Sequence, residues 1–403
     1  MDGIDIRRGS SADIPAVCDL IGIVFHEDLT DEGRQDEAEV FEPDRSLIAD
    51  DRGVVAGHTL THSRHLTVPG GVLPAAHISS VGVLPTHRRR GILTALMRRQ
   101  LTEIAAGPEP IAVLWASETS IYPRFGYGLA AHRFKLSIEN REVRLPDRPA
   151  GRLRMGDPGD LRDDLVKMYD AIRPQRVGWS DRDDRWWRHV LRDMESHRGG
   201  ATRRRAVVHD GADGSPTGYA LWRVKPRSTA HGPACEVQVR EVVAADPQTY
   251  LALWRFLLSI DLSRTVTFDL AAVDEPLQYL VDEPRRLGPE FSDSLFVRLT
   301  DLPAALAGRR YAAPVDVVLE VDDPVLPANA GRWRLTGGPD SATCVRTGDP
   351  ADTVCSVTDL GAAYLGGTSL SALAAAGRVR QLTANDPGVA FGWHRAPSVT
   401  ETF

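Results

Sequence analysis

Residues 81–97 read VGVLPTHRRRGILTALM, and the period of this run changes half-way. Up to Pro85 it has the pattern of a strand; beyond Gly91 the apolar residues Ile92, Leu93, Leu96, Leu101 and Ile104 recur at helical spacing. A strand that turns tightly into a helix leaves the first backbone N–H groups of that helix unpartnered, at the positive end of its dipole. Gly91 places no side chain in the path of a ligand and tolerates unusual dihedrals. Arg88, Arg89 and Arg90 ring the opening with positive charge. A solvated basic turn would account for the arginines alone. Strand, turn, glycine and amphipathic helix together point to a socket for a diphosphate.

Working outward, Ile4 and Ile6 alternate as a strand, and Ile14, Val17, Leu20, Ile21 and Val24 form a helical stripe. An acidic stretch from Glu27 to Glu42 follows. Short β-rich runs from Ser46 to Pro85, broken by Asp-Asp-Arg-Gly and Pro-Gly-Gly, predict an antiparallel meander. After the helix come another strand, IAVLWAS (111–117), and the loop ETSIYPRFGYGLA (118–130). The middle of the chain repeats this order with GYALWRV, CEVQVREVVAAD, the helix PQTYLALWRFLLSID and the strand TVTFDLAA, which suggests a duplicated unit. The second copy has AADPQTY where the first has PTHRRRG. It is therefore expected to bind no such anion and to wall the substrate cleft. The last hundred or so residues change to short strands and alanine-rich helices, a separate small α+β domain.

At 403 residues the chain is longer than one core usually supports, so two or three domains are expected. Apolar content of 42% and charged content of 26% are those of a globular protein, and no window nears the ~18 apolar residues of a membrane span. The N-terminus has no apolar segment of the secretory kind. Cys18, Cys235, Cys344 and Cys355 are scattered, which makes a reducing cytoplasm the expectation. The net charge of −7 speaks against nucleic acid as a partner. His58, His62 and His65 mimic a metal spacing, but on a strand 65 falls on the opposite face from the other two, so no metal site is expected. Trp179, Trp186 and Trp187 are expected to pack the central domain.

The run RRRGIL resembles the acetyl-CoA motif of the GCN5-related N-acetyltransferases (GNAT): Arg88 and Gly91 match, while Leu93 stands where the motif has a small residue. More narrowly, PTHRRRGIL after an alternating Val81–Val83 strand, the loop ASExxIYxRFGYG and a final phenylalanine resemble the Eis (enhanced intracellular survival) family of aminoglycoside acetyltransferases. That resemblance implies an α+β chain of two tandem GNAT folds and a sterol-carrier-like domain. The expected boundaries are 1–140 for the catalytic GNAT domain, 141–295 for a degenerate one and 296–403 for the last. It implies acetyl-CoA as acyl donor. Val81, Gly82 and Val83 would hold the pantetheine arm, and Arg88, Arg89, Arg90, Gly91, Ile92, Leu93 and Thr94 the pyrophosphate. Ser117 and Glu118 would line the channel, with Phe25 and Glu27 toward the amine substrate. It also implies a homo-oligomer, a hexamer by family habit.

Acetyl transfer to an amine needs a neutral nucleophile, a polarised thioester carbonyl and a proton for the departing thiolate. Tyr122 and Tyr127 each fit either a proton donor or a packed loop aromatic; the resemblance selects Tyr122. It also implies that the carboxylate of Phe403, the last residue, reaches back into the first domain as general base. A free terminal carboxyl has a pKa of about 3.5, and desolvation would raise it toward a useful range. Relatives often carry an acidic residue just before the last one; here Thr402 stands there, with Glu401 one step away. The acidic run 27–42 fits either a solvated helix face or a lure for a polycation. Three readings remain at this level: acetylation of multi-amine small molecules such as aminoglycosides, acetylation of protein lysines on the same scaffold, and non-enzymatic lipid or CoA binding by the last domain.

Overall fold

The computed structural model describes residues 3–146 and 151–403. The first half opens with β1 (Ile4–Arg8), α1 (Ile14–Phe25), α2 (Asp31–Val40), β2 (Ser46–Asp51), β3 (Val54–Val68) and β4 (Gly71–Val83). Helix α3 (Ile92–Ala105) then crosses over, so β5 (Ile111–Trp115) returns parallel to β4, whereas β2, β3 and β4 form the predicted antiparallel meander. Two strands follow, β6 (Gly128–Leu129) and β7 (His132–Glu139).

The second half repeats the plan. It contains β8 (Arg152–Gly156), α4 (Arg162–Ile172), α5 (Asp184–Leu191), β9 (Arg205–Asp210) and β10 (Pro216–Lys225). A small ribbon, β11 (Ser228–Thr229) with β12 (Gly232–Pro233), precedes β13 (Cys235–Ala244), and α6 (Pro247–Leu258) leads to β14 (Ser263–Ala272), parallel to β13. Then come β15 (Glu290–Asp293) and β16 (Leu295–Leu299).

The two sheets do not change over at the expected boundaries, because each takes a strand from the other's stretch of chain. Their orders are β1-β2-β3-β4-β5-β16-β6 and β15-β7-β14-β13-β10-β9-β8. Thus β7, inside the expected first domain, pairs with β14, while β16, straddling the 295/296 boundary, pairs antiparallel with β5 and β6. The two-residue β6 is too short to cover the five-residue edge of β5, and β16, buried along its whole length, fills that place. Alternation along a strand reports its faces and says nothing of which sheet it joins.

The last domain is built from α7 (Leu302–Gly308), β17 (Val315–Asp322), β18 (Gly331–Gly337), β19 (Ala342–Arg346), β20 (Thr353–Ser356), α8 (Val357–Ala363), α9 (Leu370–Ala375), β21 (Arg380–Gln381) and α10 (Gly388–Phe391), with sheet order β19-β18-β17-β20-β21. It is fastened to the first sheet by backbone contact: a Cβ on Gly361 would lie 2.3 Å from the carbonyl oxygen of Val297. Beside that contact Arg298 of β16 donates from one Nη to both oxygens of Asp323, at 2.8 and 2.7 Å, with both side chains fully buried. One face of the first sheet packs Ala76, Ile78 and Leu114 on Met97 and Leu101 of α3. The other face, through Leu66, Ala75 and Val113, joins a core that runs on into the second and third domains. No helix among the described residues is long and apolar enough to cross a membrane.

Candidate active site

Strand β4 pairs with β5 only from Ala75 opposite Ile111 to Ile78 opposite Leu114. Beyond Ile78 it runs on to Val83 against β3 alone, so the β5-facing edge of Val81–Val83 has no strand partner. At the fork β4 bulges: its register against β3 shifts between His58 and Leu60, and Ser80 adopts φ +50°. His58 pins that bulge, with Nδ1 2.8 Å from the Ser80 carbonyl and Nε2 2.9 Å from the Ser46 hydroxyl. A carbonyl only accepts, so Nδ1 carries the proton and Ser46 donates to Nε2. Burial lowers His58 to about 4, which keeps the ring neutral and in that tautomer.

At the mouth of the fork the chain turns through Arg89 at φ +63° and Gly91 at φ +82° into α3, and no side chain caps the helix. A left-handed conformation costs an arginine roughly 1–2 kcal/mol, a cost that persists where neighbouring structure imposes it. The result is a start of α3 whose free N–H groups open on a cavity of about 470 Å³. Val81, Gly82, Val83, Arg88, Arg89, Gly91, Ile92, Leu93, Thr94, Ser117, Glu118, Phe25 and Tyr122 all line it.

Three expected residues do not. Arg90 turns away, its Nη1 3.3 Å from Asp51, whose Oδ2 also lies 3.2 Å from Nε2 of His87. Glu27 is exposed beyond the end of α1, where its N–H bonds the Gly22 carbonyl at 2.9 Å. Phe403 sits with its ring centroid 4.6 Å from that of His77, one residue before the point where β4 and β5 part. Val24, His87, Ile121 and Arg124 also line the cavity and were not singled out from sequence. Val24 fell within an apolar helical stripe, a pattern that cannot tell a core position from a cavity wall.

The tyrosines separate. Tyr122 starts a short helical turn, Tyr122–Phe125, and reaches the cavity wall. Burial, with Glu118 adding, pushes its phenol up to about 12. Tyr127 is wholly buried, its ring 6.0 Å from that of Tyr122, and its hydroxyl has no hydrogen-bond partner among the described residues. It is a core aromatic. The histidine trio disperses likewise: His62 packs edge-on against Trp186 and His65 pairs with Asp181 at 2.9 Å. Trp179 and Trp187 pack the central core, as expected, whereas Trp186, though it starts from α5, lies against His62 and Arg64 of β3.

The acidic run is partly committed. Asp36 and Glu39 of α2 pair with His189 and Arg192 at α5, whereas Glu27, Asp28, Asp31 and Glu32 are exposed. Strand edge, open helix start, Arg88 and Arg89 together suit a ligand with a diphosphate at one end and an amide-bearing arm at the other.

A forked sheet with an uncapped helix at the fork defines a GCN5-related N-acetyltransferase, and sequence comparison agrees. Residues 5–130 and 178–299 each match an acetyltransferase (GNAT) domain family, and 302–398 match a sterol carrier protein domain family. An uncharacterized N-acetyltransferase of Streptomyces avermitilis is 47% identical over 85% of this chain and 84% of its own. N-acetyltransferase Eis of Mycobacterium tuberculosis is 35% identical over 81% of this chain and 79% of its own. The crystal structure of Eis1 from Mycobacterium abscessus superposes with a TM-score of 0.85 at 31% identity, covering 99% of this chain and all of that one. The chain is an acyltransferase enzyme of the GNAT superfamily and belongs to the Eis family of N-acetyltransferases.

Proposed function

We propose that this enzyme moves acetyl from acetyl-CoA to primary amines of multi-amine small molecules, with aminoglycosides as the reference class. The observation that carries the reading is the convergence of the unpaired β4 edge, the open start of α3 and Tyr122 on one cavity. Val81–Val83 offer backbone groups to the amides of a pantetheine arm, and the α3 start with Arg88 and Arg89 takes the diphosphate. The amine nitrogen attacks the thioester carbon as the C–S bond breaks. Tyr122 gives its proton to the departing sulfur, and the carboxylate of Phe403 receives the proton released by the amine. Phe403 does not line the cavity, but its ring packs on His77 of β4 one residue short of the fork, which brings the end of the chain beside the cleft. The exposed acids beyond Phe25 suit a polycationic acceptor. A hexameric assembly and a cytoplasmic setting are carried over from the family and the cysteine usage.

Arg88→Ala combined with Arg89→Ala should raise the KM for acetyl-CoA about tenfold or more, at ~1.5–3 kcal/mol per charged hydrogen bond, and leave kcat nearly unchanged. An unaltered KM would remove the arginines from the socket. The acceptor class is tested by thiol release with a panel of kanamycin-like amines, simple polyamines and lysine peptides. Turnover on the multi-amine compounds supports the reading; turnover on lysine peptides alone, or on none, overturns it.

A further inference from the structure

The second domain has a fork of its own. Strand β13 pairs with β14 from Cys235 opposite Ser263 to Val239 opposite Phe268, and its remaining residues, Arg240–Ala244, have no partner in β14. In the first domain the end of α1, the end of β4 and the start of α3 surround a cavity of about 470 Å³. Here the matching end of α4, end of β13 and first turn of α6 leave about 70 Å³. Two things close it. Asp246 caps α6, its Oδ1 accepting from the N–H groups of Gln248 at 2.8 Å and Thr249 at 2.9 Å, so the chain's own carboxylate takes the place of an anion. The rest is filled by the chain's C-terminal tail: Ser398, Val399 and Thr400 line what remains.

The tail is bound there as a ligand would be. The Ser398 N–H donates to the Val177 carbonyl at 2.9 Å, and Trp179 Nε1 donates to the Ser398 hydroxyl at 3.2 Å. Gly178, at φ +93°, lets the tail lie so close that a Cβ there would stand 2.3 Å from the Ser398 carbonyl oxygen. Arg182 donates to the Thr400 hydroxyl at 3.0 Å. Glu401 is buried between two guanidinium groups, 2.6 Å from Arg64 of β3 and 2.7 Å from Arg182, and Arg182 also pairs with Glu241 of β13 at 2.6 Å. All four side chains are at most 4% exposed. Two cations and two anions withdrawn from water hold one another in place, and a one-residue slip of the tail would break the set. Such a slip would displace the terminal carboxylate by roughly 3.3 Å, more than a proton transfer tolerates.

We propose that the second domain's cofactor-type cleft serves as the seat of the C-terminal tail, and that Glu401, locked between Arg64 and Arg182, is the positioning residue that fixes where the Phe403 carboxylate stops. The catalytic half of this statement rests on the base role proposed above. Glu401 faces these arginines, so it is not an acid that contacts the amine. The test uses the full-length, untagged chain with Glu401→Gln, which keeps the shape and removes the charge. Carboxypeptidase A release of Phe403, followed by mass, should quicken at least tenfold, and kcat should fall at least tenfold with KM for acetyl-CoA unchanged. Glu401→Asp should recover part of both. Thr400→Val, which keeps every charge, should quicken release by a smaller factor and serves if Glu401→Gln does not fold. Release at the wild-type rate in the folded variants overturns the seat. Faster release with undiminished kcat overturns the positioning role. An extended chain that stays active removes the base reading and leaves the seat to the release measurement alone.

Discussion

Replacing Tyr122 by phenylalanine should lower kcat by about 10²-fold or more, the usual loss when a positioned proton donor is removed. The ring keeps its packing among Leu114, Phe125 and Tyr127, so the KM for acetyl-CoA should change little. Burial and Glu118 push this phenol up to about 12, above its ordinary value, so it stays protonated through the whole neutral and mildly alkaline range. It is therefore protonated wherever a primary amine first becomes neutral, and no alkaline loss of activity below about pH 11 should trace to it; as a weaker acid than a free phenol, it gives up its proton in concert with C–S cleavage, as charge builds on the sulfur. The natural control is Tyr127→Phe. That hydroxyl is buried without a partner among the described residues, and its removal should leave kcat within about twofold and not lower Tm. Steady-state rates of the two variants, with a pH profile of the wild type, decide the assignment; an unchanged kcat in Tyr122→Phe ends it.

Adding residues after Phe403 should be about as damaging, a loss of ~10²-fold or more in kcat, because a peptide bond turns the terminal carboxylate into an amide that cannot accept the amine's proton. The phenyl ring and the tail before it need not move for this to happen, so acetyl-CoA should still bind. A tag removable by a protease that leaves Phe403 terminal makes the measurement reversible: rates before and after cleavage are compared on one sample. Full activity before cleavage would strip the tail of its role. The tail's anchor is not what such a pH profile would report. Burial alone would raise the Glu401 carboxyl, but Arg182 and Arg64 overcome it and hold it at about 2. A carboxyl held below its unfolded value of about 4.3 stabilises the fold above that pH and loses the contribution only as pH falls toward 2. At assay pH the anchor is fully formed.

Much of the first domain could be read from short stretches. The alternation up to Pro85, the switch to helical spacing after Gly91 and the arginines between them locate the α3 socket, since a helix start and a missing Cβ are local features. AADPQTY, in the second copy, likewise announces a helix start without arginines or glycine; that Asp246 caps it is seen only in the structure. The terminal phenylalanine and the two candidate tyrosines are visible too, as residue types without places. Everything that depends on which distant segment lies alongside was decided in three dimensions. Tyr122 and Tyr127 stand five residues apart in one loop, and only packing puts one at the cavity and the other in the core. Arg90 carries the same charge as its neighbours, yet Asp51 on β2 draws it away. Strands β7 and β16 alternate like any others, and the edge left uncovered by β6 determines that they trade sheets. Glu401 looks like one more surface acid until Arg64, from the other end of the chain, and Arg182 meet it. The physical reason is common to all four: periodicity records how a side chain points from its own backbone, whereas burial, pairing and reach depend on partners tens to hundreds of residues away.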